Sequence, residues 1–135
     1  MKKTIEVAAA CIENDNHEIL CALRSLKMSM SNKWEFPGGK INKGETAHEA
    51  LQREILEELD CKITTDEIIC EHTHEYDTFT IHLHVIKAAI KEGTPKATEH
   101  AKLVWLAPEH LDSIMWAPAD IPAVEKIMKT KTSSS

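Results

Sequence analysis

Glu54, Glu57 and Glu58 have a type and spacing that could do chemistry. Positions i, i+3 and i+4 share one face of a helix, so the three carboxylates would point the same way, about one turn apart. Like charges at that spacing destabilise an isolated helix, and a bound cation would neutralise them. Hard carboxylate oxygens with no Cys or His among them suit Mg²⁺ or Mn²⁺. The competing reading is a solvated acidic helix face, the ordinary fate of such residues.

The elements that must position these carboxylates lie on both sides. Upstream, Phe36-Pro37-Gly38-Gly39 predicts a tight loop whose glycines let the backbone approach a ligand closely, and the Gly39 carbonyl is a candidate metal ligand. Gly44-Glu45-Thr46 predicts a turn into a helix, with Thr46 as N-cap and Glu49 completing a capping box. Ala47, Ala50, Leu51, Ile55 and Leu59 recur at helical period and should form the inner face. Arg53, beside Glu54, can pair with Glu45 and lock the loop to the helix.

This stretch resembles the Nudix box, G-x5-E-x7-R-E-U-x-E-E-x-G-U with U a bulky apolar residue. Gly39, Glu45, Arg53, Glu54, Ile55, Glu57 and Glu58 occupy its positions, and Gly38 precedes it. Asp60 stands where the last glycine is expected and Cys61 where the last apolar residue is expected. That glycine would be a left-handed helix cap, which Asp can adopt at a cost of about 1 kcal/mol. The likeness extends to Asn32–Lys40, to Glu99-His100 with Leu103-Val104-Trp105, and to Ala117–Pro122. Over almost the whole chain, to about residue 128, it is similar to MutT-like nucleoside triphosphate pyrophosphohydrolases, especially their CTP-cleaving bacterial branch.

The resemblance implies an α+β fold, a mixed sheet sandwiched between helices, and Mg²⁺- or Mn²⁺-dependent cleavage of a nucleoside triphosphate to monophosphate and pyrophosphate. It implies metal ligation by Gly39, Glu54, Glu57, Glu58 and Glu99, with Arg53 in the catalytic set. The base that activates water would be Glu54, Glu57 or Glu99. Arg24, Phe36 and Asp120 would meet the nucleotide, Asp120 reading the base. Asp120 could instead merely cap the C-terminal helix. Both 8-oxo-dGTP and cytosine nucleotides (CTP or 5-modified dCTP) fit a carboxylate that accepts from a base edge.

Two other readings compete. A hydrolase of ADP-ribose or dinucleoside polyphosphates is one, though the proline that marks many ADP-ribose enzymes after the box is absent: no Pro lies between Pro37 and Pro95. A non-catalytic nucleotide-binding module is the other, and it would be expected to lack one of the box carboxylates.

Size and charge agree with a small enzyme. The chain has 135 residues, 42% of them hydrophobic, enough for one core. A net charge of −6 argues against a nucleic-acid polymer as partner, which asks for a basic face. No run approaches the roughly 18 apolar residues of a membrane span. Met1-Lys2-Lys3-Thr4 lacks the apolar core that follows in a signal peptide, so a cytoplasmic protein is expected, with nothing demanding more than a monomer. Cys11, Cys21, Cys61 and Cys70 form no C-x-x-C pair and read as structural thiols.

Thr4–Ile12 predicts a strand buried on both sides, and Glu18–Leu23 its hairpin partner across the Asn14-Asp15-Asn16 turn. Glu67–Tyr76, Phe79–Ile90 and Leu103–Leu106 predict further strands, and about Ala119–Met128 a last helix. The domain should span 1–128, with 129–135 a disordered tail. His72, His74, His82 and His84 make two H-x-H pairs on neighbouring strands. The four imidazoles could converge on zinc. A polar, half-exposed sheet face is the favoured reading while strand register is unknown.

Overall fold

The computed structural model describes residues 2–132. At its centre is β1 (Lys3–Ile12), whose C-terminal half is buried on both sides. Ala8, Ala10 and Ile12 enter one hydrophobic cluster, while Ala9 and Cys11 enter the other. That is the period-2 alternation of a strand with no solvent face. β1 pairs in parallel with β6 (Phe79–Glu92), from Lys3 opposite Phe79 to Ile12 opposite Ala88. On its other edge β1 pairs antiparallel with β4 (Gly38–Lys40), and β5 (Lys62–Glu75) lies antiparallel on the far edge of β6. The order is β4-β1-β6-β5.

A second, smaller sheet has the order β3-β2-β7, from β3 (Trp34–Glu35), β2 (Ile19–Leu23) and β7 (Lys102–Leu106). On one side, α1 (Ala47–Leu59) packs Leu51, Ile55 and Leu59 against Ala8, Ala10, Ile12, Ile86 and Ala88. On the other, α2 (Ile121–Thr132) packs Ala123, Val124 and Ile127 into the cluster of Ala9, Cys11, Leu83 and Val85. A mixed sheet between helices is the expected α+β sandwich. No helix among the described residues is long and apolar enough to cross a membrane.

Local expectations needed correction in three places. β2 is not a hairpin partner of β1 beyond an isolated bridge between Glu13 and Ile19; it crosses to the second sheet and pairs with β3 and β7. β5 begins at Lys62, five residues before the expected Glu67, because irregular register between Lys62 and Cys70 hides the strand period. The last helix starts at Ile121 after a 3₁₀ turn over Pro118–Asp120 and continues through 129–132, so this part of the expected tail is helical. Residues 133–135 of that tail lie outside the described residues.

Candidate active site

The helix that carries the carboxylates is stopped at both ends by its own side chains and backbone. Thr46 has extended geometry (φ −79°, ψ 163°) and its hydroxyl accepts from the Glu49 amide at 3.1 Å. Glu49 returns the bond, its carboxylate accepting from the Thr46 amide at 2.9 Å, which completes the capping box. At the other end Asp60 adopts the left-handed conformation (φ 54°, ψ 40°), and its amide donates to the Leu56 carbonyl at 3.2 Å. Asp60 therefore serves as the cap that the Nudix pattern gives to glycine.

Arg53 organises the acidic face. Its Nε and Nη2 donate to the two oxygens of Glu45 at 2.7 and 2.9 Å, a bidentate pair that ties the loop to the helix. Nη1 donates to Glu54 at 2.8 Å and, at 3.5 Å, to Glu57; Nη2 also reaches the Lys40 carbonyl at 3.1 Å. The Glu45 contact is the main cause holding the guanidinium's pKa above its ordinary value, and Arg53 in turn holds Glu45 below its own. One cation thus fixes two of the three candidate carboxylates and the β4 backbone.

Glycine at 38 and 39 follows from close approach. A Cβ at Gly39 would collide with the Glu54 carboxylate, and one at Gly38 with the Ala8 carbonyl and Ala9 Cα. The Gly39 main chain therefore lies directly against the Glu54 side chain.

Glu58 is half-buried, and its Oε2 is enclosed with no hydrogen-bond partner among the described residues. Burial pushes its pKa up to about 9, and Glu54, Glu99 and Glu35 push the same way. A buried carboxylate oxygen with no donor, facing other carboxylates, is the arrangement a hard divalent cation satisfies. Glu99 joins the group through its loop. The Thr98 hydroxyl donates to the Glu58 carbonyl and the Lys96 amide to the Leu59 carbonyl at 2.8 Å, pinning that loop to the end of α1.

Beyond Glu58 lies a polar network that sequence reasoning missed. Glu35 accepts from Arg24 Nη1 at 2.6 Å and meets His100 Nε2 at 2.7 Å. The His100 side chain is 1% exposed, and its Nδ1 has no partner among the described residues. Arg24 also donates to the Ser29 carbonyl at 2.6 Å, so most of its fork is committed to protein. Three elements far apart in sequence build this group; the one local trace of it is the Glu99-His100 pair.

Asp120 lies alongside and is 7% exposed. Its Oδ2 accepts from the Phe36 amide, 84 residues earlier, at 2.9 Å; that bond joins it to the floor of the site instead of to a helix end. Burial pushes its pKa up to about 8, against the pull of the Phe36 amide; Glu35 adds to the rise and Arg24 opposes it. Phe36 needs correction as a substrate contact. Its ring is 2% exposed and packs on Trp116 at 4.7 Å, so it supports Asp120 through its backbone and presents no ring face.

The four histidines do not converge. Antiparallel register sets His72 opposite Leu83 and His74 opposite Ile81, while His82 faces Thr73 and His84 faces Glu71. Paired residues share a face, so the two H-x-H pairs point to opposite sides of the sheet.

Comparison with known proteins agrees with this geometry. The NUDIX domain family matches residues 8–126. The chain is 42% identical over 126 residues to the CTP pyrophosphohydrolase of Escherichia coli K12, covering 93% of each. It is 32% identical over 129 residues to the 8-oxo-dGTP diphosphatase of the same organism, covering 94% of this chain and 98% of that one. The solution structure of the MutT mismatch-repair protein, a Nudix hydrolase from methicillin-resistant Staphylococcus aureus 252, superposes with a TM-score of 0.78 at 48% identity, over 96% of this chain and 99% of the other. With the box, its caps and the α/β/α sandwich all in place, the chain belongs to the Nudix domain family, as a MutT-like hydrolase.

Proposed function

We propose that this enzyme hydrolyses nucleoside triphosphates to the monophosphate and pyrophosphate, with Mg²⁺ or Mn²⁺ held by Glu54, Glu57, Glu58 and the Gly39 carbonyl and with Glu99 completing the set. The observation that carries the metal reading is Glu58, whose enclosed oxygen has no donor and whose neighbours are acidic. Divalent cations held by these residues would supply Lewis-acid chemistry, making a bound water a stronger acid and the acidic face attractive to a polyanion.

The protein's own groups do the rest. Arg53 holds Glu54 and Glu57 in place through 2.8 and 3.5 Å contacts, so the carboxylates need not reorganise as charge builds on phosphorus. One of Glu54, Glu57 or Glu99 takes the proton of the attacking water. The Glu35–His100–Arg24 network and Asp120 form the end of the site remote from the α1 N-terminus, where the base would be read.

Cytosine nucleotides are the lead substrates, supported by the 42% identity to a CTP pyrophosphohydrolase. A carboxyl that keeps its proton to about pH 8 offers one donor and one acceptor, which matches the N3 and N4 edge of cytosine. The second reading, 8-oxo-dGTP, is favoured by the 8-oxo-dGTP diphosphatase relatives. The test is kcat/KM with Mg²⁺ for CTP, dCTP, 5-methyl-dCTP, dGTP and 8-oxo-dGTP, beside ADP-ribose and a dinucleoside polyphosphate, with pyrophosphate and orthophosphate assayed separately. Pyrophosphate from a triphosphate is the expected product. A preference for ADP-ribose or a dinucleoside polyphosphate would overturn the triphosphate assignment.

A further inference from the structure

His82 and His84 share the sheet face that α1 packs on, where β1 passes from its exposed N-terminal half into its buried half. Opposite them in register stand Glu6 and Ala8 on β1, with Thr73 and Glu71 on β5. Only 4.3 Å separates the two ring centroids. One oxygen of Glu6 lies 2.8 Å from His82 Nδ1 and 2.9 Å from His84 Nε2. One oxygen of Glu71 lies 3.4 Å from His82 Nε2 and 3.2 Å from His84 Nδ1, on the other edge of both rings. Each imidazole is thus engaged at both nitrogens by carboxylates from two different strands.

We infer that Glu6, His82 and His84 form a second metal site, for Zn²⁺ or a similar d-block cation, separate from the box carboxylates. Their three ligand atoms already lie within 4.8 Å of one another, and two imidazoles with a carboxylate form a donor set that zinc takes with a water in fourth place. Tetrahedral zinc with bonds of about 2.0–2.1 Å needs ligand atoms about 3.3 Å apart, so the Glu6 contacts need open by only about half an ångström. Glu71 supplies the second feature of such a site. A metal-bound histidine characteristically gives its remaining N–H to a carboxylate, and Glu71 is placed to take both. Glu6 and Glu71 are half-exposed, so an ion can reach the site from solvent.

The two clusters differ in donor chemistry. The box group is built from oxygen donors and suits Mg²⁺, whereas the Glu6 group has two nitrogens and prefers a borderline-soft ion. An ion there would tie β1, β5 and β6 together without entering the hydrolytic machinery. The structural effect is a cross-strand link at the end of the sheet where Glu6 leaves the core.

The full chain, stripped of metal and then supplied with excess Mg²⁺ to fill the box, tests this by zinc titration with equilibrium dialysis and melting temperature as readouts. The expected result is one equivalent of Zn²⁺ per chain that Mg²⁺ does not displace, with a melting temperature that rises with free zinc. Co²⁺ in its place should show the strong visible bands of a low-coordinate nitrogen–oxygen site. His82→Asn and His84→Ala should each abolish the equivalent, and Glu71→Gln should weaken it by about 10–100-fold. His72→Ala, on the opposite face, should leave it intact. The Mg²⁺-dependent hydrolysis of the His82 and His84 variants, at wild-type rate, reports that they are folded. Retention of the equivalent in both histidine variants would overturn the site, as would failure of the wild type to hold zinc against Mg²⁺.

Discussion

Asp120 offers a test that separates structure from chemistry. Its carboxyl, held at about 8 in the folded protein against 3.8 as the ordinary value, is raised first by burial. The sign follows directly. Stabilisation from the protonated form is complete below about pH 3.8 and is lost as pH rises through about 8. Asp120→Asn carries no such proton and can still accept from the Phe36 amide, so the variant should gain on the wild type as pH rises. One pH unit between the two values is worth up to about 1.4 kcal/mol, or about 4 kcal/mol from pH 5 to pH 8. Relaxation and water penetration should halve this to about 2 kcal/mol. For a chain of this size that is a gain of about 6 °C in the melting temperature of Asp120→Asn relative to wild type. Subtracting the two melting curves at each pH removes the contribution of the box carboxylates, which both proteins share. A gap constant to within about 1 °C from pH 5 to pH 8 would refute the buried, protonated carboxyl. Asp120→Ala then reads specificity. A lost hydrogen bond from a neutral carboxyl, about 0.5–1.5 kcal/mol, should raise KM for the preferred base by about 2–13-fold, and less for the others. Uniform loss across the nucleotide panel would refute base reading.

EDTA should abolish activity, and Mg²⁺ or Mn²⁺ should restore it; pyrophosphate release measured in chelator is the check, and a rate that persists there would remove the metal. Glu57→Gln keeps the shape and removes a charge, so kcat should fall by about 10²–10⁴-fold with the melting temperature preserved. Glu49→Gln, on the same helix but in the capping box, should lower the melting temperature modestly and leave kcat near wild type; equal kcat losses in the two would show that helix stability is being measured. Gly39→Ala drives a methyl group into the Glu54 carboxylate, and a displacement of about 1 Å there should lower kcat by about 10²-fold, read in steady-state assays beside a circular-dichroism check of the fold.

What the sequence discloses about this site depends on how local each part is. Glu54, Glu57, Glu58 and Arg53 lie within two turns of one helix, and helical geometry alone converts their spacing into a shared face. The capping box is equally local, with partners three residues apart. The Glu35–His100–Arg24 network has partners 11 and 65 residues apart, and nothing in any one stretch signals it. The histidines lie on polar, half-exposed sheet faces, the favoured expectation. That the two pairs face opposite sides depends on the β5–β6 register, which period-2 spacing within one strand does not give. Hairpin inference from β1 to β2 failed because a short turn between apolar runs does not reveal that the second run changes sheets.

The small residues of β1 show how core and site depend on each other. Ala8 stands opposite Gly39 and Ala9 opposite Gly38 in the β1–β4 ladder. Ala8 also lies in the cluster that receives Leu51, Ile55 and Leu59 from α1. A larger side chain at 8 would push α1 outward, and with it Glu54, which touches the Gly39 backbone with no room for a methyl group. In sequence the alanine run reads only as an apolar strand. In the fold its small size sets how closely the helix face approaches the glycine loop, and so sets the spacing of the carboxylates and the Gly39 carbonyl. The box residues supply the candidate ligand atoms; the distance between helix face and glycine loop is set by side chains outside the motif.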